Sequence, residues 1–329
     1  MEMTYEQWCL MKKDLRRRFS VTGWTLLVYY GIMNVAVFFA TFSEMVIGMM
    51  KDISSGSPAD LMAGAEEAPS GAWGYLLAVA VGLIVLLCWK KPRYWKEELW
   101  QRGKPMTAGS FFSLLCLFMA GQLIYQIVAI TVELILNGFG LSMAEGMEAM
   151  AGDMTSFSMF LYVGILAPVS EEILFRGLIQ RTLLPYGKRF AILCSAFCFG
   201  IFHGNLLQSP YAFLVGLVLG YVAAEYSISW AMVLHMFNNL MFADVLTRLT
   251  QNWPEEILGL FLFLINLLFF AGGVIVLVLR RREIKVYRRA DPINKTCLRC
   301  YFSAPGVIVL IVLMGLSMVV TSIMMVNPI

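Results

Sequence analysis

Six side chains in this sequence combine reactive types with helical spacing: Glu171, Glu172, Arg176, His203, His235 and Asn239. The first three sit in A-P-V-S-E-E-I-L-F-R-G, residues 167–177, inside an otherwise apolar stretch. The chain has two histidines, His203 in F-C-F-G-I-F-H-G-N and His235 in V-L-H-M-F-N-N-L. A charge at membrane depth costs at least about 2.5–3.5 kcal/mol, so three charges this close together require a reason. On a helix Glu172 and Arg176 are four apart and share a face, where they can pair. Glu171 points about 100° away from Glu172 and is left for other partners. His235 with Asn239, and Phe199 with His203, repeat the four-residue spacing.

Such a set can activate water. A buried carboxylate suits a general base. The histidines can orient the water, ligate a metal, or donate to a developing oxyanion, and Asn239 can donate as well. The plainer reading is a buried Glu172–Arg176 ion pair that fixes helix packing, with histidines that bridge helices by hydrogen bonds. Other hydrolase chemistries lack their signatures. There is no H-E-x-x-H and no G-x-S-x-G, although Ser170 and Ser195 lie nearby. Asp244 has no second aspartate with which to form a dyad.

The elements that must position these groups are transmembrane helices. Of 329 residues 59% are hydrophobic and 14% charged, against about a quarter charged in a soluble protein. The class is all-α: a polytopic bundle of about eight to nine spans. Apolar stretches place helices at 23–42, 72–89, 110–132, 156–184, 190–203, 211–224, 230–245, 257–279 and 307–325. The fifth and sixth are short for spans, which leaves room for a re-entrant piece. The apolar run after Arg18 exceeds a signal-peptide core and has no cleavage site, so it reads as a retained helix. The stretch 53–71, rich in Ser, Gly, Ala and Pro, reads as an exterior loop.

Charge supports this layout independently. Segments 1–18, 90–104, 176–189 and 280–299 hold 23 of the 25 Lys and Arg residues, all on one side of a nine-helix arrangement. Lys51 and Arg248 are the exceptions, and the opposite loops are acidic. Basic residues accumulate in the cytoplasm, which puts the N-terminus inside. The loop 280–299 has the composition of a segment lying against anionic lipid. The seven cysteines show no disulfide framework, and the C-L-R-C pair Cys297/Cys300 lacks further ligands. The small-xxx-small pairs Gly216/Gly220 and Gly200/Gly204 carry packing information.

E-E-I-L-F-R at 171–176, F-G-I-F-H at 199–203 and H-M-F-N-N at 235–239 resemble the three motifs of the CAAX protease and bacteriocin-processing family. This family of intramembrane proteases is also called Abi or CPBP. The resemblance covers roughly residues 156–248, and it divides the chain into N-terminal helices (1–153), a catalytic core (154–250) and C-terminal helices with the basic loop (251–329). It implies an intramembrane endopeptidase that cleaves a membrane-associated peptide or protein within the lipid bilayer, with no nucleic-acid partner. Glu171 and His203 would activate water, His235 and Asn239 would stabilise the oxyanion, and Glu172 and Arg176 would support the site. If the family's metal-dependent description applies, Glu171, His203 and His235 would hold one divalent ion such as zinc. The compact, Met-rich chain looks like an enzyme of a bacterial plasma membrane. Two rivals stand beside this reading: a non-catalytic immunity or scaffold protein of the same family, and a proton-relay transporter. The transporter would need inverted halves that the sequence does not display.

Overall fold

The computed structural model describes residues 4–55, 73–151, 157–241, 246–250 and 252–329. Loop 53–71 and Asp244 therefore fall wholly or largely outside the described residues. All nine apolar stretches form helices over their described residues. In chain order they are α1 (Tyr5–Ser55), α2 (Trp73–Trp89), α3 (Ala108–Asn137), the short α4 (Ala144–Ala151), α5 (Phe157–Tyr186), α6 (Lys188–Phe202), α7 (Gln208–Glu225) and α8 (Ile228–Asn239). There follow the short α9 (Leu246–Thr250), α10 (Glu255–Leu279), α11 (Arg281–Ala290), α12 (Lys295–Phe302) and α13 (Pro305–Met325). Two two-residue strands, β1 (Leu141–Ser142) and β2 (Asn327–Pro328), pair antiparallel. The segment 280–299, expected as a loop, is mostly the two helices α11 and α12, and α11 leaves no residue buried. Tyr287 ties α11 to the bundle, its hydroxyl reaching Glu225 and its ring meeting Tyr221 edge-on.

Five helices, α1, α3, α5, α10 and α13, are long and apolar enough to cross a bilayer. Their outward faces carry large apolar side chains in the open, such as Leu268, Leu279 and Met324. Water would not tolerate such a band, whereas lipid requires it. Inside this ring sit the shorter helices. α6 has 15 residues and α8 has 12, or roughly 22 and 18 Å against a hydrocarbon core of about 30 Å. They need not span alone, because neighbours enclose them: α6 buries nine of its residues, Phe190 to Gly200.

Local signals end and start these helices. Gly187, at φ +122°, separates α5 from α6, a backbone region costly for any side chain. Ser227 caps α8 by accepting from the Trp230 N–H at 3.3 Å, and Thr107 does the same for α3. The basic segments share one end of the bundle. Lys104 and Lys188 both reach Glu225, at 2.9 Å each. Arg181 donates to the Leu99 carbonyl, and Arg189 to the carbonyls of Arg288 and Asp291. Phe19 of α1 packs on Tyr186 and Tyr301 at the same end. The opposite end holds the β1–β2 pair and the turn after His203, which meet around Met325.

Candidate active site

The site is built on irregular turns of α5. This helix changes register twice. Residues Tyr162–Leu166 and Ile173–Gln180 are π-helical, and Ala167–Glu172 between them is α-helical. The first wide turn immediately precedes Pro168, whose ring would collide with a carbonyl of a regular helix. Ala167 N–H bonds to the Tyr162 carbonyl, five residues back. In that register the next donor to the Val163 carbonyl would be Pro168, which has none. The side chain of Asn239, from α8, fills the gap: its Nδ2 donates to Val163 O at 2.9 Å. Extra-residue turns of this kind recur at functional sites.

The two carboxylates differ sharply in surroundings. Glu172 is fully enclosed, and Glu171 has a side chain 32% exposed. Glu172 Oε2 lies 3.2 Å from Arg176 Nε, the ion pair expected from the four-residue spacing. Neither atom reaches hydrogen-bond geometry, because the helix past Ile173 is in π register and no longer aligns residues four apart. The other oxygen of Glu172, Oε1, accepts from Nδ1 of His235 at 3.0 Å. This corrects the division of labour read from the spacing, in which Glu172 served Arg176 alone and Glu171 alone met the histidines. Glu171 Oε2 lies 3.8 Å from His235 Nε2. His235 thus stands between both carboxylates.

His203 ends α6 and donates from Nδ1 to the Phe199 carbonyl at 2.7 Å, leaving Nε2 as an acceptor. Sequence alone places this residue near the outer end of its helix and His235 nearer the inner end. Phe199, one turn below His203, spans that difference. Its ring lies 4.8 Å from His203, 5.9 Å from His235 and 4.4 Å from the Arg176 guanidinium. The spacing paired Phe199 with His203 but did not show its approach to His235 and Arg176.

Glycines explain how Arg176 reaches its other partner. Arg176 Nη2 donates to Gly216 O at 3.3 Å and Gln180 Nε2 to Gly220 O at 2.9 Å. A β-carbon on Gly220 would stand 2.9 Å from Gln180 Oε1, and one on Gly216 3.1 Å from Ala196 Cα. The small-xxx-small pair therefore opens the α7 backbone to a polar ladder from α5. Gln180, four residues beyond Arg176, was legible as the ladder's next rung but was not singled out.

With this geometry in place, comparison with known proteins is informative. Residues 153–241 match the family model described as type II CAAX prenyl endopeptidase Rce1-like. Over this segment the chain is similar to the Rce1-like family. No curated protein and no solved structure matches the chain. The Rce1-like core takes in α5 to α8 and with them every motif residue: Glu171, Glu172, Arg176, His203, His235 and Asn239. It is the core of a membrane-embedded protease, as the motifs imply.

Among the described residues no group of three or more His, Cys, Asp or Glu is arranged to hold an ion. Glu171, His203 and His235 are among those described residues. As arranged the residues do not fit the ion, and no step below is routed through one. Cys297 and Cys300 are buried free thiols, with Cys198 Sγ packed 3.0 Å from the Tyr301 hydroxyl.

Proposed function

We propose that the Rce1-like core hydrolyses a peptide bond of a membrane-associated protein or peptide, with water activated by Glu171 and His203. The observation that carries this is the approach of both histidines to Phe199, from two helices, with Glu171 of a third helix 3.8 Å from His235 Nε2. Glu171 is the carboxylate left open, while Glu172 and Arg176 are sealed beneath it. A water held by Glu171 and by His203 Nε2 has both hydrogens accepted, which aims a lone pair at a bound carbonyl carbon. Glu171 takes one proton as the oxygen attacks. The carbonyl oxygen then carries negative charge, and the Asn239 N–H not bound to Val163 is a donor for it. His235 adds a second donor when Nε2 also carries a proton, with a carboxylate on each side of the ring. Collapse breaks the C–N bond, and Glu171 returns its proton to the departing nitrogen. Glu172 fixes the His235 ring through Nδ1, as a carboxylate does for many catalytic imidazoles.

The test is cleavage of an internally quenched peptide ending in a prenylated Cys and three further residues, in liposomes holding the purified protein. We expect release of the last three residues by the natural chain and loss of that release in Glu171→Gln and His203→Ala. Equal turnover in all three would sink the scheme. Chelator treatment is expected to leave turnover intact; loss reversed by zinc would replace this water activation with a metal-centred one. We also place the basic end of the bundle in the cytoplasm, supported by the contacts among its four segments. An impermeant thiol reagent applied outside should label Phe139→Cys and spare Lys285→Cys, and the reverse pattern would invert the orientation.

A further inference from the structure

A chain of amides runs into the site from a helix outside the Rce1-like segment. Gln122, in the apolar helix α3, donates from Nε2 to the Tyr211 hydroxyl at 2.7 Å and to Asn238 Oδ1 at 3.2 Å. Both of its N–H hydrogens are thereby engaged. Since the Asn238 oxygen is taken, its Nδ2 faces Asn239 and donates to Oδ1 at 3.0 Å. Asn239 passes the sequence on, donating from Nδ2 to Val163 O at 2.9 Å. The close approach of α3 and α7 makes this reach available: a β-carbon on Gly121 would meet the Tyr211 ring at 3.2 Å. Asn238 is buried, so water is not a ready substitute along the chain.

The direction of the chain is fixed at its end. A backbone carbonyl can only accept, and the helix around Pro168 supplies Val163 O with no competing N–H. Reversing any one amide would set oxygen against oxygen or N–H against N–H in a site of low dielectric. We propose that Gln122 and Asn238 are positioning residues for Asn239, clamping its amide so that a single N–H remains for the cleft. This rests on the peptidase reading above. It also gives the N-terminal helices a part in the reaction, since α3 lies outside residues 153–241.

The experiment uses full-length protein, labelled with ¹⁵N-asparagine, in detergent micelles. The Asn239 side-chain amide resonance is assigned by its disappearance in Asn239→Leu. Gln122→Met keeps the shape and removes both donors, and Asn238→Leu removes the link itself. In each we expect the Asn239 resonance to move. On the quenched peptide, kcat should fall about tenfold with KM within about twofold, as for partners that orient a catalytic group. Tyr211→Phe, which leaves the Asn238 contact in place, should change kcat less than Gln122→Met. An unmoved resonance in both variants would overturn the clamp, as would a moved resonance with full kcat. If the natural chain cleaves nothing, the peptidase reading fails, and the resonances still decide whether Gln122 and Asn238 hold Asn239.

Discussion

Glu172 and Glu225 are both carboxylates held by cations, and their settings have opposite economies. Glu225, at the end of α7, accepts from Lys104, Lys188 and the Tyr287 hydroxyl. Its lysines are 66% and 51% exposed, so water can replace either one. Glu172 and Arg176 have no exposure at all, and Glu172 Oε2, Arg176 Nε and Arg176 Nη1 find no hydrogen-bond partner. The surface cluster is satisfied and replaceable. The central one is unsatisfied and irreplaceable, because no solvent reaches it. That asymmetry fits a hub that ties helix ends together on one hand and a scaffold for reacting groups on the other.

The contrast can be broken at its most sensitive point by Glu171→Gln. We expect turnover to fall by about 10²–10⁴-fold, the usual range for loss of a general base, with the unfolding midpoint in detergent unchanged. A parallel loss of stability would mean that Glu171 belongs to the scaffold. Next comes Arg176→Met, which strands Glu172. Removing one member of a buried pair costs about 3–5 kcal/mol, readable in denaturant titrations, and Glu172→Gln added to it should restore most of the loss. A near-neutral Arg176→Met would place water at the pair. At the end of α7, Glu225→Gln should cost less than Arg176→Met, since the carboxylate is buried but both of its lysines are half or more in solvent. A loss as large as that of Arg176→Met would erase the distinction.

The smallest effect concerns pH. The hydrogen bond to Glu225 holds the Lys104 ammonium above its ordinary range. A folded-state pKa above the unfolded one, about 10.4 for lysine, gives stability that is complete below that value and lost as pH rises through the higher one. Melting curves between neutral and strongly alkaline pH should therefore fall less in Lys104→Met than in the natural chain. Identical slopes would show that this ammonium does not contribute.

The sequence carried the apolar helices and the shared end of the basic segments, because apolar length and charge are properties of single stretches, but not every helix end: α1 runs Tyr5–Ser55 where 23–42 was expected. The motif residues were legible for a related reason: six polar groups stand out against helices that otherwise exclude them. What was hidden depends on neighbours. The π-helical register past Ile173 is not encoded in residue spacing, so Glu172 was assigned to Arg176 alone and its bond to His235 was missed. Phe199 is marked by its spacing to His203, but its approach to His235 and Arg176 appears only in the fold. Gln122 and Asn238 are amides in apolar helices, and their meaning comes from each other. The basic segment 280–299 reads as a loop because its composition hides a helix that packs through Tyr287.

The carbonyl of Val163 has a consequence for how this chain can change. It is available to Asn239 because residue 168 is a proline, and it is short of a donor because of that same ring. Any residue with an N–H at 168 could close the backbone on itself and turn Asn239 loose. Any residue at 239 without a donor would leave a naked carbonyl in the bilayer. Each replacement is harmful alone, and repairing one requires the other. Positions 168 and 239, on different helices and 71 residues apart, are therefore expected to drift only as a pair.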